Sequence, residues 1–536
     1  MSTAYLVMLI LLIVYIPIWV WVWRNPEKAA RWHLQKYGPC IMIKTQLGMK
    51  TMDRLAAYPR FWHAFGFASK LVSAVLFFLM MYMLIVALLA VPSRLASGSS
   101  IGIEYALAIP GFNPIMPLSY GIVALFFAMV VHELGHGIQA RVNGIRVESS
   151  GLLYVVVPMG AFVEPNEEEM AKKPRKAQID VYAAGITVNT VFAVISILLM
   201  IFACGFVSSD YGDSAGVYYV DDGSPAYNAG IPASALIIGI SDEDGNLLIG
   251  TNEAGQTAGD LTTTLSGSAA YLNYDFDPTQ RYIITYMTED GTHTSTATQM
   301  GLYVKAITSG SGADEGGITA GTFIYSITMD GTTTVIGGYG EFNAFMASTT
   351  GGETIVVTTV SVMDDTGAYT MEDHTVTLGT RNSIGFLGVT TTTGGLTFTT
   401  PDQLLDRAVN PFYNTTDAYS YVTALFSYLS GPFNGMDPIS DEVKWWYDAP
   451  GGDLTWIFIT LMYWIFWLDI LLAISNALPT YVLDGGFIFA GGVSWFLEKL
   501  GVRDPERNRK LTDSIAGNVS TVVLFLFILV ILAMVI

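Results

Sequence analysis

The sequence predicts a multi-pass α-helical membrane protein, with about six transmembrane helices and a re-entrant β region, that carries an inserted β-rich tandem. Two observations predict it. The chain of 536 residues is 51% hydrophobic and only 13% charged, with a mean hydropathy of +0.45, which is too apolar for an ordinary soluble protein. Its net charge of −20 is unevenly spread: residues 206–453 hold 5 Lys+Arg against 30 Asp+Glu, a balance of −25, so the remainder is +5. A Thr-, Gly- and Asp-rich block therefore interrupts two apolar, basic-flanked halves. The two cysteines, Cys40 and Cys204, lie in separate segments and exclude both a disulfide framework and a cysteine-based zinc site.

In chain order, residues 4–23 form an uncharged apolar run long enough to cross roughly 30 Å of hydrocarbon. With no basic n-region or small-residue cleavage site, it reads as an uncleaved helix. Residues 24–70 carry 9 Lys+Arg against Glu27 and Asp53, which makes this loop cytoplasmic. A second span over 71–91 leads to an external loop with Arg94 as its only basic residue, and a third begins near Leu118. The run Gly151 to Val163 is β-branched, too short to span, and broken by Pro158 and Gly160, so it reads as a hairpin or re-entrant strand pair. Lys172, Lys173, Arg175 and Lys176 mark the cytoplasmic side again, and a fourth span runs over 181–206. After the insertion, apolar helices near 454–478 and 519–536 complete the set, with Arg503, Arg507, Arg509 and Lys510 between them.

Within the insertion, Gly223-Ser224-Pro225-Ala226-Tyr227-Asn228-Ala229-Gly230-Ile231 recurs 87 residues later as Gly310-Ser311-Gly312-Ala313-Asp314-Glu315-Gly316-Gly317-Ile318. The same offset relates Ile240 to Ile327. A repeat of that size is a pair of small domains. The expected division is 1–92, two N-terminal helices with a basic loop; 118–206, a first catalytic membrane half; 207–305 and 306–395, the tandem; 396–453, an extracytoplasmic linker; and 454–536, a second catalytic half. Asn414 opens a possible glycosylation sequon on the external side.

The chemistry resides in His132-Glu133-Leu134-Gly135-His136. Two imidazoles at i and i+4 share a helix face, so one metal ion can meet both while Glu133 handles a water. Ionisable groups at the end of an apolar span are costly and mark function. A catalytic zinc needs a third protein ligand. Asp484, at the end of an apolar helix and followed by Gly485 and Gly486, is the leading candidate; its rival Asp469 lies deeper in the same segment. Asn189 and Asn476 are polar residues in apolar helices, suited either to interhelical hydrogen bonds or to substrate.

His132-Glu133-x-x-His136, the Pro158 to Val163 strand region, Ala184-Gly185-x-x-x-Asn189 and Asn476-x-x-Pro479-x-x-x-Leu483-Asp484-Gly485-Gly486 together resemble the site-2 protease family of intramembrane zinc metalloproteases. The repeated Gly223-Ser224-Pro225-Ala226 element resembles PDZ domains, which that family commonly carries. The resemblance implies one Zn2+ held by His132, His136 and Asp484, with Glu133 as catalytic base. It also implies substrate contacts at Asn476, Asn189, Gly160 and Phe162. The implied partners are transmembrane-helix substrates, the lipid bilayer and peptide C-termini at the PDZ-like domains, with no nucleic acid. The active site would lie near the cytoplasmic side of the cell membrane, with the insertion extracytoplasmic. Ile186 and Ala161 depart from the family pattern, as does Gly312 where the first repeat has Pro225. Two alternatives stand beside this reading: a CAAX-type membrane zinc protease, which takes a Glu as third ligand, and a catalytically silent PDZ-bearing scaffold.

Overall fold

The computed structural model describes residues 3–535 apart from 98–109, 111–112, 156, 260, 262, 267–268, 273, 365, 382, 411, 413–414, 430 and 432–438. The expected glycosylation site Asn414 and most of the expected external loop after residue 91 lie outside the described residues. The chain folds as two compact units, one comprising Met1–Ala203, Leu425–Asp437 and Asp453–Ile536, the other Cys204–Ala424 and Pro438–Gly452.

The first unit is helical. Helix α1 (Thr3–Arg24) is followed by α2 (Pro26–Ala30), β1 (Leu34–Tyr37), β2 (Cys40–Thr45), α3 (Met49–Ala56) and α4 (Pro59–Ser97). Then come α5 (Leu118–Val142), β3 (Val147–Val155), β4 (Val157–Pro165), α6 (Glu167–Lys172) and α7 (Arg175–Cys204), and, after the insertion, α8 (Asp453–Asn476), α9 (Asp484–Lys499) and α10 (Pro505–Val535). Among the described residues, five of these helices, α4, α5, α7, α8 and α10, are long and apolar enough to cross a membrane. The sixth expected span coincides with α1, whose described apolar part is Leu9–Arg24.

Several helices outrun their apolar windows. Helix α10 starts at Pro505, within the basic segment before the span expected from residue 519, and there Lys510 with Glu506 and Arg509 with Asp513 form one-turn ion pairs that support an exposed helix. Helix α9 was not anticipated, because its 16 residues are too few to span and no periodic stripe sets them apart. Helices pack closely where side chains are small, as lipid supplies no hydrophobic drive between them. Ala124, Ala128 and Ala140 of α5 and Ala183 and Ala184 of α7 are fully buried.

The hairpin expected around Gly151 to Val163 is present as β3 and β4, but it is half of a four-stranded antiparallel sheet ordered β1-β2-β3-β4. Residues 24–70, expected as a charged loop, supply the other half. Two of their basic residues, Lys36 and Lys44, sit on strands, and Lys44 pairs with Gly151 of β3. Strand β4 is left at the sheet edge.

The inserted unit is β-rich and its 87-residue repeat is structural. Ser224 and Ser311 cap matching one-turn helices, accepting from the amides of Tyr227 and Asp314. Gly223 and Gly310, with φ of 73° and 70°, make the same left-handed turn before each cap. Ile231 and Ile240 enter one core beside Ile284 and Phe398; Ile318 and Ile327 enter a second beside Val357 and Leu302.

The two repeats are nested rather than placed end to end. The strand Leu396–Thr399, which falls in the expected linker, pairs with Ala215–Val220 and closes the first core, while Val389–Thr393 pairs with Leu302–Ile307 and closes the second. The expected boundary at 305/306 therefore cuts a strand. A strand's partner is set by tertiary pairing, which local composition does not encode.

Candidate metal centre

Helix α5 presents His132, Glu133 and His136, and a helical period places the two imidazoles one turn apart. Asp484 arrives from the other half of the chain as the first residue of α9. Its backbone is set by a tight turn: a Cβ at Gly485 would lie 2.4 Å from the Ala477 carbonyl oxygen, and one at Gly486 would lie 2.3 Å from that of Thr480. Only glycine permits this approach.

The three side chains converge. Nε2 of His132 and Nε2 of His136 are 3.1 Å apart, and Oδ2 of Asp484 lies 3.1 Å from the first and 3.3 Å from the second. All three residues lie largely out of solvent, and their ligand atoms fall within 4.8 Å of one another. Asp484 Oδ2 and His132 Nδ1 have no hydrogen-bond partner among the described residues. Two imidazole nitrogens and a carboxylate oxygen facing one point, with an orphaned acceptor, are a donor set that fits a zinc ion. Asp469, the rival ligand, is buried on α8 and is not part of this group.

The surroundings fix the ligands. Nδ1 of His136 faces the carbonyl oxygen of Val181 at 2.8 Å, which orients the ring and leaves Nε2 toward the cluster. Helix α7 approaches through Gly185, where a Cβ would sit 2.5 Å from His136 Nε2. Glu133 is held from the opposite side: its Oε2 accepts from the amide of Val163 on β4 at 2.7 Å. A cavity of about 320 Å³ opens here, lined in part by Glu133, His136, Val163, Tyr182 and Asp484. Tyr182 stacks on Phe487 of α9 at 4.5 Å, so the wall of the cavity also joins the two halves.

The expected substrate residues divide into two groups. Gly160 and Phe162 are on edge strand β4, paired with Leu153 and Gly151, and the Phe162 ring fills the space above Gly151. Asn189 donates to the carbonyl of Ala128 at 3.3 Å and so ties α7 to α5, and Asn476 donates to Leu472 in its own helix at 3.1 Å. Neither asparagine lines the catalytic cavity. Sequence reasoning missed the backbone groups of Val163 and Val181, which carry no side-chain signal.

Known proteins bear on this arrangement. The profile of peptidase family M50 matches residues 120–534. An uncharacterized protein of Methanocaldococcus jannaschii is 34% identical over 173 residues, which are 32% of this chain and 46% of that protein. A membrane-bound transcription factor site-2 protease homolog of Arabidopsis thaliana is 26% identical over 137 residues, 24% of this chain and 27% of that protein. The chain thus spans less than half the length of either relative. With the family profile covering both membrane halves and the histidine pair meeting Asp484 between them, the chain belongs to peptidase family M50, the site-2 proteases.

Proposed function

We propose that this protein is an intramembrane zinc metalloprotease that hydrolyses peptide bonds in or near the transmembrane segments of other membrane proteins, as in regulated intramembrane proteolysis. The observation that carries the reading is the convergence of Asp484, at the start of α9, on His132 and His136, with Glu133 beside them on a helix apolar enough to cross a membrane. A zinc ion held by those three residues would supply a Lewis acid and lower the pKa of water.

The protein's own groups do the rest. Glu133 takes the proton from the attacking water and returns it to the leaving amine, and its position is held by the Val163 amide. The Val181 carbonyl keeps His136 in the tautomer that offers Nε2. Because a helix protects its own peptide bonds, the substrate must unwind, and the free edge of β4 offers the hydrogen bonds that compensate. We assign the substrate contacts to Gly160 and Phe162 on that edge. Asn189 and Asn476 each donate through Nδ2 to a helix carbonyl and support the helices that frame the site, and the Asn189 Oδ1, unpartnered among the described residues, is left as the acceptor for the expected substrate contact.

Basic residues flanking α4, α7 and α10 favour a cytoplasmic-side active site, and the acidic insertion an extracytoplasmic position. The nested repeats, read as PDZ-like, would bind peptide C-termini or exclude substrates whose external part is still bulky. Cleavage of a designed transmembrane peptide by the purified protein and by Glu133→Gln tests the mechanism. A fall of about 10²–10⁴-fold is expected for loss of the general base. Equal cleavage by both proteins would contradict it.

A further inference from the structure

Both groups that steady the catalytic residues have a charged neighbour in the chain, and both neighbours are gripped by a lysine from the N-terminal segment. Val181, whose carbonyl holds His136, follows Asp180, which forms an ion pair with Lys70 of α4. Val163, whose amide holds Glu133, precedes Glu164, which forms an ion pair with Lys44 of β2. Lys44 and Lys70 both lie before residue 120, where the match to family M50 begins. We propose that this N-terminal segment is a positioning module for the active site, acting through two clamps: Lys70 with Asp180, which sets the histidine ligand, and Lys44 with Glu164, which sets the base.

The first clamp is buried. The Asp180 side chain is only 6% exposed, and α4 is seated directly against it. At Gly66, one turn before Lys70, a Cβ would lie 2.5 Å from Nε2 of Gln139 and 3.0 Å from Cγ of Asp180. Gln139 is itself one turn beyond His136 on α5 and fully buried, with neither amide atom hydrogen-bonded among the described residues. Helices α4, α5 and α7 therefore meet at one polar point, and the rotation of α7 that aims the Val181 carbonyl is fixed there. A charge removed from this point leaves its partner buried and uncompensated.

The second clamp crosses three strands. Nζ of Lys44 reaches both oxygens of Glu164, at 3.0 and 2.8 Å, and Oγ of Ser149 on β3 donates to the same carboxylate at 2.5 Å. The β3 and β4 pairing is irregular between Val147 and Ser149 and again between Leu153 and Tyr154. A one-residue slip of β4 would turn the Val163 amide away from Glu133, and the Lys44–Glu164 pair, which ties β4 to β2 across β3, opposes it. This pair is more exposed than the first, at 28% and 43%, so its effect is smaller.

The inference rests on the proposed zinc-dependent hydrolysis, yet its decisive readings need no cleavage. Full-length protein in lipid nanodiscs is loaded with Zn2+ or Co2+, and the metal dissociation constant and the cobalt visible spectrum are recorded. Lys70→Met should weaken zinc binding about 10- to 100-fold and alter the cobalt spectrum, as loss of an outer partner of a metal ligand does, and Lys70→Arg should restore both. Lys44→Met should leave metal affinity unchanged but speed amide exchange in residues 160–166 and shift the pH profile of cleavage, with recovery in Lys44→Arg. If Lys70→Met does not fold, Lys70→Met with Asp180→Asn removes both charges and should show the same weakened zinc binding. Unchanged zinc affinity and cobalt spectrum in the Lys70 variants, or losses that follow thermal unfolding and are not restored by arginine, would overturn the first clamp. Unchanged exchange in Lys44→Met would overturn the second. Either failure leaves the hydrolysis reading standing, since that reading is tested separately by cleavage with Glu133→Gln and by zinc content and cleavage in Asp484→Ala.

Discussion

The two units treat buried polar atoms in opposite ways. In the inserted unit, buried polar side chains are matched: His374 pairs with Thr359 at 3.0 Å, Ser295 Oγ accepts from the Ile284 amide at 2.9 Å, and Gln299 bonds to Pro278, Ser361 and Met363. Among the described residues, every buried side-chain nitrogen or oxygen that lacks a partner belongs to the membrane unit: Ser73, His132, Gln139, Arg141, Asn189, Trp464, Asp469, Thr480 and Asp484. A β-sheet exposed to water can satisfy its polar groups cheaply, whereas an orphan acceptor between apolar helices persists where function holds it. Two of these orphans, His132 and Asp484, belong to the metal group, so the difference places the unmet polar demand of the described residues in the unit that holds the site.

The strongest way to break that division is in the inserted core. Phe323 is fully buried, and Phe323→Ala should destabilise the inserted unit by about 3–5 kcal/mol while leaving zinc content at its wild-type value, checked by calorimetry and metal analysis. Loss of zinc in that variant would show that the units do not divide the work. In the membrane unit the converse holds. Gly185→Val places a side chain where a Cβ is already 2.5 Å from His136 Nε2, so zinc affinity should fall about 100-fold, or about 2.7 kcal/mol, with the melting of the inserted unit unmoved.

The smallest effect is a pH dependence confined to the insertion. Burial and the neighbouring Glu341 carboxylate push the Asp275 carboxyl above its usual range. A raised folded pKa means that the folded unit binds the proton more tightly, so this contribution stabilises as pH falls and is lost as pH rises through the folded value. Acidification from pH 7 toward the ordinary carboxylate range near about 4 should therefore raise the unit's melting temperature more in the wild type than in Glu341→Gln. Equal pH dependence in the two proteins would remove Asp275 from the account.

Much of the site was legible in the sequence because its ligands obey simple periods. His132 and His136 are one helical turn apart, and a count of basic loops brings Asp484 to the same membrane level as the pair. Asp469 could be set aside by depth, and it stands outside the cluster. What escaped was whatever depends on pairing. The β1 and β2 strands hide Lys36 and Lys44 in a segment whose charge reads as loop, and Leu396–Thr399 returns to a core more than 150 residues earlier in the chain. Val163 and Val181 act through backbone atoms that every residue possesses, so no residue type announces them.

The most direct measurement of the central claim is zinc per chain in the purified protein and in Asp484→Ala, followed by cleavage of the same transmembrane peptide. One ion per chain in the wild type, well below one in Asp484→Ala, and cleavage only where the ion is retained is the predicted result. A wild type that cleaves without zinc, or an Asp484→Ala protein that keeps both its ion and its activity, would contradict the assignment of His132, His136 and Asp484 as the metal centre.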